Sequence, residues 1–264
     1  MRAAWDTWPL HHNDDLQTDA GPLDVWYGLC VDMLEQNLAN WRASLVASIS
    51  VGGLLSRNPV AYKWKAPFRC WILREAAFWR VTDLLTQSLA LHQQGHGLGA
   101  RILLRSSFET LATLIYLNIK MRAVMDGKLN FHKFGQVTAQ LVGGRKNDTE
   151  GPVAINVVTM LDHGDTRYPG LRGIYDSLSE SAHPNFEGMV WGYSKVNHDE
   201  YETNFSNRWM ALYGEQHLNS LDLCMLTFHH EYNDVWGSMI EELEYWIVAN
   251  DAQLEETKND PLQG

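Results

Sequence analysis

The sequence predicts an all-α protein, a single antiparallel helical bundle of about seven to eight helices with an irregular segment near 184–205. Three observations carry that prediction. Apolar residues recur at spacings of three and four over long stretches, and glycine and proline clusters fall between those stretches. No pair of alternating segments joined by a hairpin turn occurs anywhere in the chain.

Leu23 to roughly Ile49 reads as the first helix, with Pro22 in its opening turn, where a missing N–H costs nothing. Val25, Leu29, Leu34, Leu38, Trp41, Leu45 and Ile49 make its apolar side. Gly52-Gly53 and Asn58-Pro59 then break the chain. A second helix is expected from about Pro67 to Leu91, on the spacing of Trp71, Glu75, Phe78, Thr82, Leu85 and Leu89. Gly95, Gly97 and Gly99 mark the turn into a third, Leu98 to about Met125. They follow a helix rather than a strand, so they are not a dinucleotide loop. Shorter helices are expected over about 131–141, 152–161 and 170–182, and two closing helices over about 207–232 and 233–250. Val153 to Thr159 is β-branched enough for a strand, but Pro152 ahead of it and Met160-Leu161 after it favour a helix.

The composition is that of one globular domain. It is 45% hydrophobic and 20% charged, with 8 Pro and 20 Gly in 264 residues, which excludes disordered and collagen-like chains. No repeat or shift in composition divides residues 21–252, which read as one helical domain between tails at 1–20 and 253–264. No apolar run approaches a bilayer span, and Trp5, Asp6, His11, His12, Asp14 and Asp15 replace the basic start and apolar run of a signal peptide. A cytoplasmic protein with no membrane partner is the expectation. Cys30, Cys70 and Cys224 are odd in number and widely spaced, so they build neither a disulfide framework nor a zinc knuckle.

The net charge of −11 disfavours non-specific nucleic-acid binding over the whole surface. The charge is unevenly spread. Residues 57–105 hold eight basic side chains against two acids and carry Trp64, Phe68 and Trp71, whereas residues 231–256 hold eight acids and no Lys or Arg. These faces would answer each other within one fold or across a homodimer. The alternative is that the 57–105 strip tracks RNA.

Two segments could carry chemistry. Arg101, Arg105, Glu109 and Tyr116 share a stripe on the otherwise apolar third helix, and Arg105 and Glu109 lie one turn apart. Charges on a central helix must be paired, yet one carboxylate does not use all five donors of a guanidinium. The second segment spaces Tyr175, Ser179 and His183 by four, with Pro184 ending the helix so that the imidazole sits at its C-terminus. A histidine there suits either general acid–base work or a simple cap. An open cleft with unsatisfied Arg donors would mark a site, and a closed network would mark a structural core.

The pairing of L-x-R-S-x-x-E (Leu103, Arg105, Ser106, Glu109) with Y-x-x-L-S-x-x-x-H-P (Tyr175, Leu178, Ser179, His183, Pro184) resembles a widespread bacterial all-helical family labelled a domain of unknown function. The resemblance covers residues 70–190. It implies an intracellular bacterial protein whose Arg, Glu, Tyr and His meet in one polar site, and it implies no reaction. A weaker similarity, of chemistry alone, is to HEPN-type helical ribonucleases, which use an Arg and a His without metal. In that reading His183 moves protons, Arg105 steadies the phosphorane-like charge, and Tyr175 or Ser179 orients the phosphate. Those enzymes carry R-x(4–6)-H on one helix, whereas the nearest Arg before His183 is Arg172.

Three functions therefore stand at this point. The leading one is a binding or interaction protein for a small ligand or protein partner, its aromatic residues Phe186, Trp191, Tyr193, Tyr201 and Phe205 suited to a pocket or interface. The ribonuclease is the alternative. A carboxylate–His metal site is the third, since Glu180 and His183 form E-x-x-H with Glu109 as a further ligand. That chemistry wants a second E-x-x-H, which is missing, so no metal or other cofactor is expected.

Overall fold

The computed structural model describes residues 22–146 and 150–261, with side chains from residue 31 onward. Among them the helices run α1 Pro22–Ala43, α2 Val51–Arg57, α3 Pro59–Tyr62, α4 Lys65–Gln93, α5 Gly97–Met125, α6 Phe131–Gly143, α7 Val157–Arg167, α8 Leu171–Ala182, α9 Trp209–His229 and α10 Trp236–Thr257. The fold is an all-α bundle. No described helix is long and apolar enough to cross a membrane.

Helix α5 is the axis. It packs against α4, α6, α7, α8, α9 and α10, and Leu104, Phe108, Leu111, Leu114, Ile115 and Leu117 on it are all but fully buried. The apolar stripe thus becomes a nearly all-round core face, as a central helix requires. Helices α4 and α5 form a hairpin closed by Gly95, whose φ of +78° is open to glycine at no steric cost. Side-chain caps set several boundaries: Ser50 accepts from the Gly53 N–H, Asn58 from Ala61, Asn130 from His132 and Lys133, and Asn156 from Val158.

Four expectations need correction. Helix α1 stops at Ala43 rather than near Ile49, because Ser50 must be extended (φ −79°, ψ 103°) to cap α2. The helix expected over 152–161 begins only at Val157. Val153 instead pairs with Arg145 across the intervening loop, and the Asn156 side chain supplies the cap. The segment 184–205 is ordered: a π-helical turn over Phe186–Trp191 leads into an antiparallel hairpin, β1 Ser194–Asn197 with β2 Glu202–Phe205. Asn197 turns the hairpin by accepting from the Asp199 and Glu200 N–H groups, and Tyr201 takes a left-handed φ of 55°. The break expected after Tyr232 is missing. A π-helical segment, His230–Val235, joins α9 to α10 in one continuous run, and α10 reaches Thr257 with Leu254 buried, beyond the expected start of the C-terminal tail. The N-terminal tail at 1–20 lies outside the described residues.

The two charged faces meet within the fold. Arg57 pairs with Glu244, and Lys63 pairs with Asp251 and Glu255, both at 2.7 Å. Of the eight basic residues in the 57–105 strip, all but Lys65 hold an intramolecular partner among the described residues.

Candidate functional site

Four of the five expected site residues converge between α5 and α8. Arg105 Nε donates to Ser179 Oγ at 2.8 Å and its Nη2 donates to the Tyr175 hydroxyl at 2.7 Å. The same Nη2 lies 3.2 Å from Glu109 Oε1, which also accepts from the Tyr175 hydroxyl at 3.1 Å. The four-residue spacing on each helix explains the meeting, since Tyr175 and Ser179 stand one turn apart opposite Arg105 and Glu109. The pair is not fully buried as a central-helix placement suggested. The Arg105 and Glu109 side chains are 26% and 24% exposed, because α8 covers the stripe from one side only.

His183 does not join them. Pro184 holds it extended (φ −89°, ψ 147°) as the C-cap of α8, and the imidazole is exposed, with no hydrogen bond, ion pair or ring contact among the described residues. Its backbone carbonyl instead receives the Asn185 N–H and lies against Gly188, where a Cβ would come within 2.0 Å of that oxygen. Glu180 bonds Asn185 rather than turning toward His183, and no group of three or more metal-ligating side chains occurs among the described residues.

The cluster is one of four built alike. In each, an Arg guanidinium lies over a Tyr ring whose hydroxyl bonds a Glu: Arg105–Tyr175–Glu109, Arg167–Tyr168–Glu231, Arg74–Tyr232–Glu75 and Arg57–Tyr62–Glu244. The guanidinium-to-centroid distances run from 3.5 Å (Arg74) to 5.8 Å (Arg57 and Arg167). The arrangement satisfies a buried carboxylate with a phenol donor while the ring face attracts the cation. Burial, reinforced by the bond to Glu231, pushes the Tyr168 phenol up to about 12, so it stays a donor. Burial and the nearby Glu187 carboxylate do the same to Tyr213, whose ring lies under Arg101, again to about 12.

Exposure of the carboxylate, not of the guanidinium, separates the Arg105 unit from the others, since Arg57 and Arg167 are more exposed than Arg105. Glu231, Glu75 and Glu244 are 0–10% exposed, against 24% for Glu109. Glu109 also lines an open surface cavity of about 310 Å³, walled by Leu73, Ala76, Ala77 and Val157 and flanked by Arg80, which donates to Thr110. Glu109 Oε2 and Arg105 Nη1 have no partner among the described residues.

A second polar nest went unread in the sequence apart from Arg101. Arg101, 2% exposed, donates to Ser181 and Ser177, and His217 and His92 stack beside it with ring centroids 5.0 Å apart and planes 11° apart. His217 Nε2 lies 3.1 Å from Ser88 Oγ, while its Nδ1 is buried without a partner. Burial, and then the neighbouring His92 and Arg101, bring the His217 imidazole down to about 3. The nest joins residues far apart in the chain, and only the buried Arg101 stripe hinted at it.

No protein-family model, curated protein or solved structure matches this chain.

Proposed function

We propose that the chain is a non-catalytic binding protein whose Arg105–Glu109–Tyr175–Ser179 cluster receives a small ligand bearing a hydrogen-bond donor beside an acceptor. The observation that carries this reading is the position of Glu109. One of its oxygens belongs to the cluster, its other oxygen is unused, and the same side chain walls a cavity that is otherwise mostly apolar. Arg105, one turn before Glu109 on α5 and beyond the cavity wall itself, offers the complementary unused donor. A carboxamide or similar group would accept from the Arg and donate to the Glu, with its hydrocarbon part against Val157 and Leu73.

Proton transfer at an RNA 2′-hydroxyl needs a group poised near neutral pH, and the described cluster contains no imidazole. The guanidinium remains charged at any relevant pH and serves as a fixed donor. The bacterial setting of this reading rests on the two sequence motifs alone.

Isotope-edited NMR titration with butyramide tests it, because the amide offers both bonding partners and the propyl tail suits the cavity wall. Saturable shifts are expected at the Thr113 and Val157 amides and the Arg105 Nε–H, lost in Val157→Trp. A titration that moves none of these signals refutes the site. RNA cleavage by the wild-type protein, abolished in His183→Ala at an unchanged unfolding midpoint, would overturn the non-catalytic reading.

A further inference from the structure

The 57–105 strip is largely engaged inside the fold, but at one place its charges remain available. Where α3 ends, the first turn of α4 faces the first turn of α6 across a cavity of about 330 Å³. Three of its lining side chains are cationic, Lys63, Lys65 and Arg69, and none is acidic, in a chain whose net charge is −11. Lys63 is already paired with Asp251 and Glu255. Arg69 donates only to the neutral carbonyl of Gly135, at 3.0 Å, and exposed Lys65 has no partner among the described residues. Two positive charges at the cavity are therefore uncompensated.

Three of the five remaining lining residues are aromatic, beside Ala66 and Gly135. Trp64 and Phe131 meet edge-to-face with centroids 5.5 Å apart, and the His132 ring lies 5.7 Å from Trp64. Trp64 is fixed from behind by its Nε1–H, which bonds Asp251 at 3.1 Å, and His132 by Thr257 at 3.2 Å. These rings are held rigid, which lowers the entropic cost of using them as a binding surface. The charges also sit against local preference. Lys65 is the first residue of α4, where the helix dipole favours an anion, and neither α4 nor α6 has an acid in its first turn. A cation retained at that position makes sense once an anion occupies the cavity.

We propose that this cavity binds a small organic anion carrying a planar ring, an aryl phosphate or aryl carboxylate, with Lys65 and Arg69 on the anion and Trp64, Phe131 and His132 around the ring. The volume lies at the lower end of small-molecule sites, roughly 300–1,000 Å³, and suits a single-ring compound rather than a polymer. The site is separate from the Arg105 cluster and does not depend on it.

Phenyl phosphate is the probe, with inorganic phosphate and benzyl alcohol as the charge-only and ring-only controls, measured by ligand-observed NMR and calorimetry on the full chain. Phenyl phosphate is expected to bind at least about tenfold more tightly than either control, and more weakly as salt rises. Two variants locate the binding without threatening the fold. Gly135→Leu fills the cavity from a helical position where an added Cβ meets nothing within 4 Å, so it should abolish binding at an unfolding midpoint no lower than the wild type's. Lys65→Glu should weaken binding by about tenfold or more while raising the unfolding midpoint, since an acid suits the first turn of a helix. Phenyl phosphate that fails to bind the wild type overturns the proposal, as does binding indifferent to both variants. Tighter binding of a ten-nucleotide RNA, insensitive to Gly135→Leu, overturns it equally by returning the strip to a polymer.

Discussion

Acid should destabilise this protein from near neutrality downward, and His217 should account for a measurable share of the loss. Its ring is 2% exposed, stacked on His92 and close to Arg101, and its pKa falls from 6.5 to about 3 on folding. Between those values the unfolded chain binds a proton that the folded chain refuses. The stabilisation is therefore complete above 6.5 and is lost as the pH falls through the window toward 3. At pH 5, about 1.5 pH units below the unfolded value, the cost is about 2 kcal/mol at 1.36 kcal/mol per unit. That figure holds for any folded value well below 5, so it depends on the burial of the ring rather than on the depth of the depression. The assay is urea unfolding of the wild type and His217→Gln at pH 7 and pH 5. Any fixed cost of the substitution cancels, and the stability difference between the two proteins should change by about 2 kcal/mol in favour of the variant. A difference that stays constant within about 0.5 kcal/mol would mean that His217 accepts a proton in the folded state, and that the stacked pair is not buried as described.

Other perturbations separate the buried units from the exposed one. Glu231→Ala should cost about 3–5 kcal/mol in urea unfolding, because it strands the fully buried Asn118 amide and the Tyr168 hydroxyl along with Arg167. A loss below about 1 kcal/mol would contradict that burial, whereas Glu231→Gln should cost less, since its carbonyl oxygen can still accept from the Tyr168 hydroxyl and Arg167. Arg105→Ala and Glu109→Ala should each cost only about 1–2 kcal/mol, short of a fully buried pair, because water reaches both side chains. Losses of about 4 kcal/mol in these two would return the cluster to the closed core and count against a ligand there.

The helices with long apolar periodicity were legible from the sequence because a central helix reports its own environment. The stripe Arg101, Arg105, Glu109 and Tyr116 on α5 announced polar partners, and the four-residue step from Tyr175 to Ser179 announced where two of them stand. His183 had the right spacing and the wrong backbone: Pro184 directed it away, a consequence of one neighbour that periodicity does not register. The hairpin escaped because all four residues of β2 are exposed, so no apolar alternation marks it. The π-helical segment at 230–235 has no glycine or proline to mark it, and the partners of its Glu231 and Tyr232, Asn118 and Glu75, stand on other helices. The repeated Arg–Tyr–Glu grouping is likewise tertiary, since only in Arg167-Tyr168 and Arg74-Glu75 do two members stand side by side in the chain.

That π-helical segment also makes chain length a constraint of its own. It lets two consecutive residues face inward, Glu231 toward Asn118 and Tyr232 toward Glu75, and then hands the helix on to α10 in a new rotational phase. Removing one residue between His229 and Trp236 would close the run into a plain α-helix and leave α10 near its present phase, because a π-helical turn holds one residue more than the α-helical turn it replaces. The loss would fall on the turn itself: Glu231 and Tyr232 could no longer both face inward, so Asn118 or Glu75 would lose its partner. The same deletion placed just beyond the segment, at Gly237 or Ser238, would turn everything downstream by about 100° around the axis. Met239, Ile240, Leu243 and Ile247 would then swing out of the core, and Arg57 and Lys63 would lose their carboxylates in the same movement.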